Sequence, residues 1–219
     1  MARLPISAAV ALCVFCSGVA ARSISQDLPP FDKWLAELRA EAEQRGIAPA
    51  LLDRALSGIA PVEQILDRDR SQAEFTLDLD GYLRRRLTRD TVRTAQRMYR
   101  QHRTVLGKIE HQYGVPPRVL IAVWGLESNF GKFAGVRPTI PALVTLAYDP
   151  RRGAMFREEL FNALEIVHRG DIELEKLKGS WAGALGQPQF MPSSYLKWAQ
   201  DFDGDGRKDI WESPADVFA

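Results

Sequence analysis

Apolar residues recur at helical spacing along most of the chain. Phe31, Trp34, Leu35, Leu38 and Ala42 fall on one stripe that Gly46 ends, which predicts a first helix. Pro49 suits the first turn of a second, short helix with Leu51, Leu52, Ala55 and Leu56 on its stripe and Gly58 as its stop. Pro61 to Glu74 is polar with weak periodicity and is expected to be loop, with at most a helical turn. Thr88 is a plausible N-cap for one long helix, because Val92, Ala95, Met98, Tyr99, His102, Val105, Leu106, Ile109 and Tyr113 keep a three-and-four spacing up to Gly114. Val115-Pro116-Pro117 breaks the chain and starts an apolar helix that runs towards Gly131. Thr139 is a candidate cap for a short apolar helix over Ala142 to Tyr148. Asp149-Pro150 is a turn. Phe156, Leu160, Phe161, Leu164 and Val167 make a further amphipathic helix closed by Gly170. No strand pair with hairpin spacing and no repeat is visible before residue 200, so the predicted class is mainly α.

The first 21 residues stand apart. Arg3 is followed by an apolar run from Ile6 to Val19, too short to span a bilayer comfortably, and Val19-Ala20-Ala21 offers a small-residue cleavage site. This predicts a signal peptide over 1–21, a linker over 22–30, and export to the periplasm. The only cysteines, Cys13 and Cys16, lie inside that segment and have poor neighbours for lipoprotein processing. The expected mature protein is therefore soluble rather than lipid-anchored, without a disulfide. A formal net charge of +1 argues against a dedicated nucleic-acid binder. Locally the balance differs: eight arginines lie between Arg84 and Arg103 against a single acid, Asp90. A solvated helix face is the plain account of that run, and a basic wall facing an anionic polymer is the alternative.

Three stretches carry candidate chemistry. In Val119 to Gly131, one carboxylate, Glu127, follows the apolar Val123 and Trp124. If Gly131 lies just past the helix end, Glu127 sits in the last turn, where apolar surroundings and the macrodipole both disfavour its charge. Such a carboxyl would keep its proton near neutral pH, as a general acid must.

The second stretch, Gly179 to Tyr195, mixes small residues with Ser180, Gln187, Gln189, Tyr195, Trp181 and Phe190. Hydrogen-bonding groups beside flat apolar faces suit a sugar; tight helix packing is the plain account.

The third stretch, Asp201 to Glu212, follows a twelve-residue EF-hand loop. Asp201, Asp203 and Asp205 stand at positions 1, 3 and 5, Gly206 at 6, Asp209 at 9 and Glu212 at 12, with the Arg207 carbonyl available at 7. Hard oxygen donors this close point to calcium. Lys208, where such loops prefer an apolar residue, favours one structural site over a regulatory sensor.

Together these stretches resemble the B-type lytic murein transglycosylases, a lysozyme-like family of cell-wall enzymes. The likeness runs from about Phe31 to the C-terminus and also takes in Tyr113-Gly114-Val115-Pro116-Pro117. It implies a mainly α, lysozyme-like transglycosylase domain over 31–219 with an EF-hand-like calcium loop. Family members continue past this point, so the domain is expected to be cut short at its C-terminus. By the resemblance Glu127 is the sole catalytic acid. Ser180, Gln189 and Tyr195 lie in the sugar-contacting stretch, and Arg151 and Arg152 meet the peptide part of a muropeptide. One structural Ca2+ is implied, with Asp216 a rival to Glu212 as its last carboxylate. The implied partner is peptidoglycan, with cell-wall enzyme complexes possible around a monomer.

The implied reaction cuts the β-1,4 bond between N-acetylmuramic acid and N-acetylglucosamine. Glu127 donates to the bridging oxygen, then takes the proton from the muramic acid C6 hydroxyl, whose oxygen closes on C1. Between Glu127 and Glu158 the only other acid is Asp149, compatible with one carboxyl rather than the usual pair. A muramidase using water and a non-catalytic wall-binding or scaffold protein are the alternatives.

Overall fold

The computed structural model describes residues 28–71 and 78–219. The expected signal peptide and most of the linker lie outside the described residues. The helices are α1 (Phe31–Gln44), α2 (Pro49–Ala55), α3 (Glu63–Arg70), α4 (Leu79–Arg86), α5 (Arg89–Gln101), α6 (Arg103–Tyr113), α7 (Pro117–Ser128), α8 (Thr139–Tyr148), α9 (Gly153–His168), α10 (Pro192–Trp198) and α11 (Pro214–Phe218). A two-residue strand β1 (Arg137–Pro138) pairs antiparallel with β2 (Lys178–Gly179), Arg137 opposite Gly179.

Three local expectations need correction. The Pro61 to Glu74 stretch contains α3, because Ile65 supplies a buried anchor that a mostly polar sequence hides. The long helix from Thr88 is two helices. Thr88 does cap α5, its hydroxyl accepting from Thr91 N at 3.1 Å. The chain then bends at His102, whose ring lies edge-on to Trp124 and Phe218 at 5.5 Å from each. That bend lets both α5 and α6 pack on α7. Thr139 does not cap α8; it is the first helical residue, and its buried hydroxyl has no hydrogen-bond partner among the described residues. The short β1–β2 pair has no hairpin spacing, since α8 and α9 lie between its strands, and two residues leave no periodicity to read.

Two apolar clusters result. The larger packs α1, α2, α8 and α9 around residues such as Leu38, Leu52, Leu143, Phe156 and Leu164. The smaller holds Leu106, Ile109, Ile121, Trp124, Phe130 and Phe218. The second cluster fixes α7, the helix that carries Glu127. Phe218 on α11 stands edge-on to Trp124 at 5.0 Å, so the end of the described chain braces that helix.

Candidate active site and cation loop

The end of α7 is built by its own sequence. Pro117 opens the helix, and it closes at Ser128, earlier than the Gly131 stop expected from sequence. Asn129 and Phe130 both take positive φ, 51° and 60°. A short polar Asn tolerates that region, whereas Phe must be held there by its surroundings. The holding contact is visible: Phe130 folds its ring back over Gly125, where an added Cβ would lie 2.6 Å from the ring. Ser128, fully buried, donates to the Trp124 carbonyl at 3.2 Å and accepts from Gly131 N at 3.1 Å. The last turn is thus locked on its inner side.

Glu127 lies on the outer side of this turn and is exposed. Val123 is 49% exposed and Leu126 44%, so the apolar wall expected around the carboxyl is open to solvent, and the burial expected of Glu127 is corrected accordingly. Trp124, one turn back, and Ser128, beside it, are turned inward instead. Periodicity shows which residues are apolar but not which side of a helix is covered.

The loop after α7 packs against the second stretch. Gly135 lies against the Gly179 backbone with no room for a Cβ, and Arg137 pairs with Gly179 one residue before Ser180. Ser180 accepts from Ala184 N at 3.1 Å and Ala182 N at 3.3 Å through its hydroxyl oxygen, which leaves its hydrogen to donate elsewhere. Leu185 and Phe190 exchange backbone hydrogen bonds, N to O 2.6 and 3.0 Å, closing a tight double turn. Gln189 sits in that turn at φ 56° and donates its amide to the Gly186 carbonyl at 2.8 Å. Ser180 and Gln189 are both half-buried. The fold therefore links the Glu127 helix to the turn that carries Ser180 and Gln189.

Two residues in this stretch serve differently from expectation. Gln187 is buried, and both ends of its amide are used internally. Its Oε1 accepts from Trp124 Nε1 at 2.7 Å and its Nε2 donates to the Trp211 carbonyl at 2.6 Å. Tyr195 is 1% exposed, donates to the Lys208 carbonyl at 3.2 Å and packs on Trp211. Burial pushes its phenol well above the ordinary value, with Asp171 adding to the effect. A side chain so enclosed has no surface for a sugar, and the expected substrate contact by Tyr195 is corrected to a brace under the aspartate loop.

Arg151 and Arg152 converge on one acid that sequence reasoning missed. Asp69 on α3 is 4% exposed and pairs with both guanidiniums, Arg152 at 3.2 Å; Arg151 Nη2 also donates to the Asp69 carbonyl at 3.1 Å. An acid buried on a polar helix leaves no sequence signal unless its partners are known. The arginines are 51% and 40% exposed, so each keeps outward N–H groups.

In the aspartate loop, one oxygen each of Asp201, Asp203 and Asp205 lies within 4.8 Å of the others. Asp201 accepts from the backbone N–H of Gly204, Asp205 and Gly206, which folds the loop around it. Asp203 accepts from the Ser213 hydroxyl at 2.7 Å. Asp216, 3% exposed, accepts from Phe202 N and Asp209 N, both at 2.7 Å, and so ties the two arms of the loop from inside. Its carboxyl is pushed up by burial, and the charge of Asp203 adds to that. Arg207 and Glu212 are exposed, and Glu212 meets the loop only through its backbone N–H, which donates to Asp209. Clustered hard oxygens with backbone support fit a cation such as calcium.

Residues 30–219 match the family described as Transglycosylase SLT domain. The chain belongs to that family. Within it, the chain is similar to B-type lytic transglycosylases. It is 37% identical over 137 residues to membrane-bound lytic murein transglycosylase B of Escherichia coli (strain K12), covering 62% of this chain and 38% of that protein. It superposes with a TM-score of 0.81 at 41% identity on SltB3 from Pseudomonas aeruginosa in complex with NAG-NAM-pentapeptide, covering 86% of this chain and 50% of that one. SltB3 in complex with NAG-anhNAM-pentapeptide matches equally well. The Escherichia coli lytic transglycosylase Slt35 in complex with calcium matches at 29% identity with a TM-score of 0.74, over 88% of this chain and 60% of that one. The chain thus spans half or less of the length of the first two relatives. The mainly helical, lysozyme-like transglycosylase fold expected from the sequence is the fold of this chain.

Proposed function

We propose that the protein is a lytic transglycosylase that cleaves the MurNAc–GlcNAc β-1,4 bond of peptidoglycan and leaves 1,6-anhydro-MurNAc ends. The observation that carries this is the placement of Glu127. Its carboxyl stands exposed at the end of a helix whose inner side is locked, and the following loop packs against Gly179 beside Ser180. SltB3 is solved in complex with NAG-anhNAM-pentapeptide, which carries the kind of anhydro end that the proposed reaction leaves.

Glu127 gives its proton to the bridging oxygen and then accepts the proton of the muramic acid C6 hydroxyl as that oxygen closes on C1. A glycan laid over Val123 and Glu127 would exclude water from the carboxyl, the condition that general-acid donation and anhydro closure both need. Ser180, with its hydroxyl hydrogen uncommitted, and Gln189, with its amide oxygen uncommitted among the described residues, orient the sugar. The outward N–H groups of Arg151 and Arg152 take carboxylates of the stem peptide. The working compartment is the periplasm, reached through the segment 1–21.

One calcium is held by Asp201, Asp203 and Asp205 with the Arg207 carbonyl. Asp216 closes the site in preference to Glu212, because it already faces the loop interior. The ion neutralises the clustered carboxylates and stiffens the segment that Gln187 and Tyr195 join to the rest of the fold. Incubation of purified murein with the wild type and with Glu127→Gln, followed by mass analysis of the soluble fragments, tests the enzymatic proposal.

A further inference from the structure

The surface of α4 and α5 takes no part in the site described above. All eight arginines between Arg84 and Arg103 are exposed. Among the described residues their one ion pair is Arg93 with Asp90 at 3.7 Å. Arg89, Arg93, Arg97 and Arg100 follow one another at helical spacing on α5 and so form a stripe. Bulky apolar side chains are also exposed on these two helices and the turn between them: Leu79 is 72% exposed, Leu83 40%, Leu87 57% and Val92 46%. Between α5 and α7 lies a hollow of about 450 Å³ with an apolar floor of Ala95, Ile121 and Ala122, rimmed by Tyr99, Arg100 and Arg118.

The combination selects among anionic partners. A hydrophilic polyanion would satisfy the guanidiniums but leave the leucines in water. An anionic bilayer surface satisfies both, since phosphates meet the arginines while aliphatic side chains enter the acyl boundary. Tyr beside Arg over an apolar hollow is the arrangement found at such a boundary, with one end of each side chain apolar and the other wet. The molecule as a whole carries only +1, so this local positive field would orient it face-down. None of the described helices is long and apolar enough to cross a membrane.

We propose that the α4–α5 surface docks the protein on an anionic lipid bilayer. The proposal is independent of the enzymatic one. The test is co-sedimentation of the full chain with vesicles of phosphatidylcholine alone and of phosphatidylcholine with phosphatidylglycerol. Binding is expected only to the second and falls as salt rises. Arg93→Glu with Arg97→Glu should weaken it by at least tenfold, at roughly fivefold per arginine removed. Leu83→Ser with Leu87→Ser should weaken the part that survives high salt. Circular dichroism checks that both double variants fold, and both should keep wild-type turnover on soluble murein fragments. Three results overturn the proposal: no sedimentation with either vesicle, equal sedimentation with both, or anionic-vesicle binding that the leucine variant leaves unchanged. The last would mark a site for a soluble polyanion instead.

Discussion

The indole Nε1–H of Trp124 donates to Gln187 Oε1 at 2.7 Å. This bond joins the helix that carries Glu127 in its last turn to the stretch that carries Ser180 and Gln189. The same amide reaches on to the Trp211 carbonyl, at the far end of the aspartate loop. Replacing Gln187 with Ala strands a buried donor and a buried acceptor, each costing about 1–3 kcal/mol. Urea unfolding of Gln187→Ala should show a loss of about 2–6 kcal/mol from these two terms. Activity on murein should fall with it. A loss below about 1 kcal/mol would mean the bond carries little of the assembly.

The turn after Glu127 makes a sharper test of positioning. Gly131 has φ 78°, and a Cβ there would collide with Gln187 Oε1. Gly131→Ala should cost about 1–3 kcal/mol through backbone strain and crowding combined. It should lower kcat on murein more than Gly114→Ala does. Gly114 also has positive φ, 71°, but meets nothing within 4 Å of its Cβ position. Equal effects from the two variants would show that backbone strain alone, not the contact with Gln187, is responsible.

Stability should depend on His102. Burial beside Trp124 and Phe218 lowers its pKa below the ordinary 6.5. The unfolded chain therefore binds that proton more readily than the folded one. The contribution is fully present above about 6.5 and is lost as pH falls from there through the lower folded value. Melting temperature should drop between about pH 7 and pH 5, and His102→Gln should flatten that slope. An unchanged slope in the variant would remove His102 from the account.

Calcium should matter to the fold rather than to the chemistry. Chelation should lower the melting temperature, and added calcium should restore it. Asp216→Ala should abolish that response and, by freeing the Phe202 and Asp209 N–H groups, destabilise even without metal by about 2–4 kcal/mol. Glu212→Ala should change neither by much. A melting curve indifferent to chelation would retire the calcium site.

Much of this was legible in the sequence because it rests on local chemistry. The α1, α2, α7, α8 and α9 helices follow from apolar spacing and from Pro and Gly at their ends. The Asp201 to Asp205 pattern is likewise local, and the loop folds around Asp201 through its own N–H groups. What escaped was tertiary. Nothing near Gln187 or Tyr195 in the chain distinguishes an amide or phenol that faces a ligand from one that ties two elements together. Asp69 could not be assigned to Arg151 and Arg152 across more than eighty residues. The exposure of Glu127 escaped for a related reason, since an apolar helix of this length reads as buried on every side. The break at His102 depends on where Trp124 and Phe218 sit, not on any helix-breaking residue.

The central claim is that Glu127 alone cleaves a murein strand and lets its own C6 oxygen, not water, close the product. Mass analysis of fragments released from purified murein tests it most directly. Wild type should release 1,6-anhydro muropeptides, and Glu127→Gln should release fewer by at least a hundredfold, the low end of general acid–base contributions. Fragments heavier by one water, or undiminished release from Glu127→Gln, would contradict it.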